Sequence, residues 1–162
     1  MKILKAIANL YIYIIRGTPM LVQILIIYFG LGQMLRPTGF RWLNIGGTFT
    51  AGTVALSLNA GAYMAEIVRG GIEAVDKGQI EAARSLGLTY GKTMKKIVLP
   101  QALRTMLPSI INQFIISIKD TSLLSVIGLT ELTNVGKTIA ATQSAHMMVI
   151  YCFMACYYLF IC

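Results

Sequence analysis

The sequence has little charge. Only 12% of its 162 residues are Asp, Glu, Lys or Arg, against about 25% in soluble domains. Acid is scarcest, with six Asp and Glu facing 14 Lys and Arg. Histidine occurs once and cysteine three times. With one histidine, no nucleophile beside a base and no Walker-type glycine loop, the chain carries no catalytic constellation and no phosphate cradle. Cys152, Cys156 and Cys162 all lie in the last apolar run, and an odd count inside lipid argues against a disulfide framework. Cys152 and Cys156 stand at i, i+4, but no His, Asp or Glu shares their face and His146 does not complete a site. Packing is therefore the reading for them, and no metal is expected. Internal repeats and low-complexity segments are also missing.

What is there is apolar. Hydrophobic residues make up 56% of the chain and the mean hydropathy is +0.70. A soluble fold cannot hide that much apolar surface, so the composition reads as an integral membrane protein. The net charge of +8 does not point to nucleic acid, because the basic residues are not interleaved with exposed aromatics on a polar domain. They concentrate instead between Arg69 and Arg104, at Arg69, Lys77, Arg84, Lys92, Lys95, Lys96 and Arg104. The positive-inside bias places that loop in the cytoplasm. Lys92, Lys95, Lys96 and Arg104 read as a solvated face near lipid headgroups.

Along the chain, Met1 to Ile15 looks superficially like a signal peptide. No small-x-small cleavage site follows and Arg16-Gly17-Thr18-Pro19 interrupts the run, so a basic interfacial helix is the better reading. Met20 to Leu31 is strongly apolar, with Gln23 its only polar side chain, and borrows flanking residues to reach membrane length. Arg36 to Gly47 reads as a loop with the interfacial aromatic Trp42. Thr48 to Val68 reads as a clear span, rich in Gly, Ala and Ser, that should pack in the interior. Glu66 and Arg69 can pair at its end. Pro108 is expected to open the next span, Ser109 to Ile118. Lys119-Asp120-Thr121-Ser122 then ends it or marks a broken helix lining a cavity. Gly136 to Gln143 is a loop or weak helix, and Ala145 to Cys162 is a last span.

The most polar long stretch, Asp76 to Pro100, sits between these spans. Asp76 and Gln79 form a capping-box pattern, so a helix should start at about Lys77. Ile80, Ala83 and Leu86 then recur along it. Gly87 stands where a helix stops in left-handed geometry. Thr89 can cap a second helix, expected to end near Val98 because Pro100 disfavours helical geometry at Leu99.

Glu81-Ala82-Ala83, three residues, Gly87, nine residues and Ile97-Val98-Leu99-Pro100 together resemble the EAA loop of bacterial ATP-binding-cassette importer permeases. Three further stretches resemble the polar amino acid branch of that family (histidine, glutamine and arginine importers). They are Arg16-Gly17-Thr18-Pro19 with Leu21-Val22-Gln23, Leu58 to Ile72, and Asn112-Gln113-Phe114 with Lys119 to Leu123. The resemblance implies an all-α polytopic membrane protein, with about four visible membrane segments of a type I importer permease fold. Residues 1–162 would form one partial transmembrane domain, and 70–106 its cytoplasmic coupling loop. It also implies that Ile80, Glu81, Ala82, Ala83, Leu86 and Gly87 dock on an ATPase subunit. That partner would bind ATP and Mg²⁺, and this chain would hold no cofactor. A second permease subunit, an extracytoplasmic amino-acid-binding protein and the lipid membrane complete the implied partners, and no nucleic acid is among them. Family members usually carry a further span before the first segment and a basic tail after the last, so a fragment or shortened product is expected.

Asn59, in the middle of a span, is either interhelical glue or a substrate contact, with Gly61 leaving room beside it. Asp120 is a site candidate as an ionisable residue at membrane depth, together with Thr121 and Ser122. Its alternative is a helix cap with Lys119 snorkelling to headgroups. Two other functions stay open: an ion-coupled carrier using Lys119 and Asp120, or a membrane-structural protein without transport.

The topology has a direct check. A cysteine placed at Gln79 should be labelled only by reagents that reach the cytoplasm, and labelling from outside intact cells would reverse the orientation.

Overall fold

The computed structural model describes residues 2–162; Met1, with which the basic N-terminal segment opens, lies outside them. Among the described residues every regular element is helical. Helix α1 is Lys2–Gly17 and α2 is Met20–Met34. They meet at an angle of 110°. The break falls at Gly17-Thr18-Pro19, where Pro19 caps α2 in extended geometry (φ −64°, ψ 138°). Within α2, Ile26–Leu31 widens into a π-turn. Two 3-10 turns, Arg36–Thr38 and Trp42–Ile45, follow, each closed by a left-handed glycine, Gly39 and Gly46.

Helix α3, Gly47–Glu73, has 27 residues and is about 40 Å long at 1.5 Å per residue. It is long enough to cross a membrane. It contains the span expected over Thr48 to Val68, diluted by its Gly, Ser, Thr and Asn59. Those same small residues make it the packing centre, since they let neighbouring backbones approach. Ala51, Gly52, Ala55, Asn59, Ala62 and Gly71 are its buried positions. A methyl group on Gly52 would come within 2.8 Å of the Leu124 side chain, and one on Gly71 within 3.0 Å of Met106 Cβ.

Helix α4 is Lys77–Ser85. Beyond it a continuous helical run, α5, extends from Tyr90 to Ile127 over 38 residues. The expected stop near Val98 is absent. The chain passes through a π-turn at Met94–Val98, and Pro100 then falls in the first turn of the α-helical part, Leu99–Asp120. A first-turn proline needs no N–H, so it does not break the run. Pro108 does not open a span either; it lies inside the same helix, as prolines do where neighbouring groups satisfy the freed carbonyl. The run tightens to 3-10 geometry over Thr121–Ile127 and stops at Gly128 (φ 79°). At about 57 Å it exceeds the ~30 Å hydrocarbon core, so its basic start, Lys92 to Lys96, projects beyond lipid.

Glu131 opens the next helix. Its carboxylate accepts from the Thr133 and Asn134 amides at 2.7 and 2.6 Å. Helix α6, Leu132–Thr142, settles the stretch from Gly136 to Gln143, read as a loop or weak helix, in favour of helix. Helix α7, Met147–Ile161, has 15 residues and none buried, and occupies most of the stretch from Ala145 to Cys162 read as the last span. It rests on α6 where Gly136 receives Met154.

One core cluster joins α2, α3 and the 3-10 turn through Ile24, Ile27, Ala55, Leu124 and Ile127. A second joins the far end of α3 to α5 through Val75, Val98, Ala102 and Met106, with Ile80 of α4 packed on it. Outward, large apolar side chains lie bare, from Ile3 and Leu10 to Phe114, Leu159 and Phe160. Such continuous apolar exposure suits hydrocarbon rather than water.

Close packing at Gly71 gives a stability test. Gly71→Leu should lower unfolding free energy by about 1–3 kcal/mol through overpacking against Met106. Gly70→Ala meets nothing within 4 Å and should leave it unchanged or slightly higher. Thermal unfolding in detergent, compared at equal concentration, separates the two.

Candidate functional site

Two places bring the candidate residues together. The first is the corner around α4. Asp76 accepts from the Gly78 amide at 2.6 Å, fixing the helix start. At the other end the Gly87 amide donates to Arg84 O and the Leu88 amide to Ala83 O. This crossed pair is the Schellman closure, and it needs the left-handed residue that Gly87 supplies at φ 81°. Thr89 follows as the cap of α5, although its side chain makes no cap bond.

The corner has two faces, and they differ from the expected stripe. Ala83 is buried and Ile80 packs on the cluster of Val75, Val98, Ala102 and Met106, so these two hold α4 to its own chain. Leu86 is 83% exposed. Three residues are less than one helical turn, so each step of three rotates the stripe backwards, and Leu86 ends well off the Ile80 direction. Glu81, Ala82, Ser85 and Leu86 form the outward face. The non-helical parts of the loop are short, 74–76 and 86–89, because α3 reaches Glu73 and α5 begins at Tyr90. The loop expected over 70–106 is thus mostly helix.

The second place is a polar pocket of about 340 Å³ at the bend between α1 and α2. Thr18, Pro19, Met20, Asn59, Tyr63, Gln113, Ile116 and Asp120 line it. Asn59 and Asp120, 61 residues apart in sequence, meet here. Asn59 is 6% exposed and donates through Nδ2 to Gln23 Oε1 at 2.9 Å. Gln23 Nε2 in turn donates to Ile15 O, Thr18 O and Thr18 Oγ1 at 2.6, 3.0 and 2.8 Å. The Ile15 and Thr18 carbonyls are ones the break in the helix sets free. Gln113 is 5% exposed. No buried side-chain polar atom among the described residues lacks a partner, so the Gln113 amide, which bonds no other side chain or backbone group there, opens to the pocket it lines.

Three expected members stand elsewhere. Gly61 is on a different face of α3, where a methyl group would lie 3.3 Å from the Tyr11 hydroxyl. Its smallness admits Tyr11, which donates to Leu58 O, and leaves no room for a ligand. Thr121 turns its hydroxyl back to Ile118 O at 2.6 Å, and Ser122 does not reach the pocket. Gln23 and Gln113 are the residues that sequence reasoning passed over. A side-chain amide inside an apolar run was the signal in each case, alone for Gln23 and next to Asn112 for Gln113.

An ion-pair relay lies beside the bend. Glu66 accepts from Arg69 at 2.7 Å, as its spacing predicts, and also from Arg16 at 2.8 Å. Arg69 continues to Glu73 at 3.2 Å. Arg16 also sits 5.4 Å above the Tyr63 ring. The end of α1 is thereby tied to α3, one turn from the pocket wall.

The sequence profile described as "Binding-protein-dependent transport system inner membrane component" matches residues 1–162. The chain is 48% identical over 126 residues to the arginine transport system permease protein ArtQ of Bacillus subtilis (strain 168), covering 78% of this chain and 54% of that one. It is 49% identical over 135 residues to the glutamine transport system permease protein GlnP of Escherichia coli (strain K12), covering 83% and 59%. The octopine transport system permease protein OccM of Rhizobium radiobacter is 42% identical over 152 residues, covering 93% and 62%. A solved structure, described as the crystal structure of an amino acid ABC transporter with histidines, superposes with a TM-score of 0.87 at 42% identity, covering 99% of this chain and 71% of that one. The chain thus spans little more than half the length of the first two relatives.

The two pocket residues should separate in a stability measurement. Asn59→Ala strips Gln23 Oε1 of its donor and should cost about 1–2 kcal/mol. Asp120→Asn keeps the shape and should stay within about 0.5 kcal/mol. Equal losses in thermal unfolding would mean that Asp120 is as structural as Asn59.

Proposed function

The chain belongs to the family of inner membrane components of binding-protein-dependent transport systems, and from that premise we propose that it is a multi-pass permease subunit of an ATP-driven importer of polar amino acids. The ATPase would be a separate chain that binds ATP and Mg²⁺, and a binding protein would deliver substrate from outside. A second permease subunit, a copy or a sister, would complete the path. The named substrates of the relatives, arginine, glutamine and octopine, support a polar amino acid as cargo.

The observation that carries this reading is the construction of α4. A short helix is capped at both ends, anchored on its inner face by Ile80 and Ala83, and left bare on its outer face at Glu81, Ala82, Ser85 and Leu86. A bare leucine beside a fixed corner is what a docking knob requires, because a hydrophobic side chain at the surface gains only when a partner's groove covers it. Packing of Ile80 on the cluster that holds Val98, Ala102 and Met106 would then pass a push on α4 into α5. The amides and carboxylate of the pocket supply the other half. Asp120 suits a cationic amine, while Asn59 and Gln113 suit polar groups on the ligand. Family membership favours this reading over an ion-coupled carrier or a purely structural role.

Coupling can be tested at the corner. Gly87→Val forces a β-branched residue into left-handed geometry, at roughly 1 kcal/mol or more. Leu86→Asp removes the exposed knob without touching the core. Both should leave membrane insertion unchanged while reducing ATPase co-purification and ATP-driven amino acid uptake in a reconstituted importer. Normal assembly and uptake in both variants, at equal permease level, would reduce the loop to a hydrophilic connector.

A further inference from the structure

The opposite end of the molecule holds a second pocket, about 480 Å³, between the end of α2 and the turns before α3. We propose that it binds the headgroup of an anionic phospholipid, with Arg36 and Arg41 on the phosphate and the outer face of α2 along an acyl chain. The proposal rests on the membrane reading above.

The charge argument comes first. Arg36 and Arg41 both line the pocket and both are exposed. Neither makes an ion pair or a side-chain hydrogen bond among the described residues. The sequence offers no local counter-ion, since the first acidic residue in the chain is Glu66. Helix α3 carries the chain from this pocket to the basic loop, so the two arginines lie on the side that the positive-inside bias leaves poor in cations. Two unpaired guanidinium forks facing one cavity match a phosphodiester, which accepts bidentate hydrogen bonds.

The shape argument selects a lipid over a soluble anion or an acidic protein. The wall opposite the arginines is aromatic and rigid. Trp42 donates through Nε1 to Tyr28 O at 3.0 Å, an acceptor within the π-turn of α2. Phe40 meets Trp42 edge to face at 5.1 Å. Gly32 seats the indole, since a methyl group there would lie 3.1 Å from Trp42 Nε1. A tryptophan fixed at the rim of an apolar helix is the usual resident of the headgroup layer. Below the rim, Val22, Ile26 and Phe29 recur at i, i+4 and i+7 on α2 and are 42%, 58% and 55% exposed. That stripe runs out of the pocket towards the membrane interior. A ligand that fits both parts is anionic at one end and hydrocarbon along the rest.

The test uses the chain in nanodiscs of phosphatidylglycerol and phosphatidylcholine in equal parts, followed by native mass spectrometry. Wild-type chain should retain phosphatidylglycerol in preference to phosphatidylcholine. Arg36→Gln and Arg41→Gln alter exposed side chains without core contacts, and each should lower that preference by roughly fivefold. Raising ionic strength should weaken it in the wild type but not in the double variant. Equal retention of the two lipids, or no change in the variants, would overturn the proposal. Loss of binding-protein capture by the double variant with lipid retention intact would overturn it as well, reassigning the arginines to a protein contact. A chain that carbonate washing strips from membranes would instead remove the membrane reading and this inference with it.

Discussion

The bend at Gly17-Thr18-Pro19 sets how α1, α2 and α3 meet, and one glutamine satisfies it. Breaking a helix at membrane depth frees carbonyls that water cannot reach, and each unsatisfied one costs free energy of several kcal/mol. Gln23 bonds the Ile15 and Thr18 carbonyls through one end of its amide and takes the Asn59 proton donor with the other. One side chain thus satisfies the end of α1, fixes the start of α2 and ties both to the middle of α3. The polar pocket follows from the same geometry. A 110° bend leaves a hollow on its inner side, and Asn59, Gln113 and Asp120 are what α3 and α5 present to it.

The rest of the architecture is governed by how close α3 lets its neighbours come. Hydrocarbon offers no hydrophobic drive for apolar helices to associate, so contact area must come from close fit. Gly52 takes Leu124, Gly71 takes Met106 and Gly61 takes the Tyr11 hydroxyl. Each small residue admits a neighbouring element at a different height on α3. The large apolar side chains are then left to the outside, which inverts the usual soluble arrangement of Leu and Phe inside with polar residues outside.

Much of this was legible in the residues. Small side chains in Thr48 to Val68 marked the packing helix, and the structure buries Ala51, Gly52, Ala55, Asn59 and Ala62 in it. The Asp76 cap, the Gly87 corner and the Glu66–Arg69 pair follow from local rules of spacing and backbone geometry, and the structure has each of them. The misreadings at Pro100 and Pro108 share a cause. Local rules treat proline as a helix boundary, yet Pro100 falls in the first turn of an α-helical part that continues a longer run and Pro108 lies inside the same helix. The capping role of Glu131 was missed because a charge after an apolar run reads equally as an end or a beginning. Gln23 could be seen but not assigned, since its partners lie in α1 and α3 and only the tertiary fold brings them to it.

The two polar places are mechanically joined, and the joint is what a transport cycle would use. Ile80 of α4 packs on the cluster of Val75, Val98, Ala102 and Met106. Met106 also faces Gly71 of α3, so displacement of α4 reaches α3 and α5 through contacts with no slack. Packed interiors of this kind respond by switching between arrangements rather than by bending smoothly. Further along the same two helices, Asn59 on α3 and Asp120 on α5 line the pocket. A rotation of α5 against α3 that starts at the Val98–Met106 contact therefore changes the spacing of the pocket walls. The Arg16–Glu66 pair and the Asn59–Gln23 bond both hold α3 to the α1–α2 bend. With α3 so restrained, motion imposed at α4 would fall on α5, the element that carries Gln113 and Asp120.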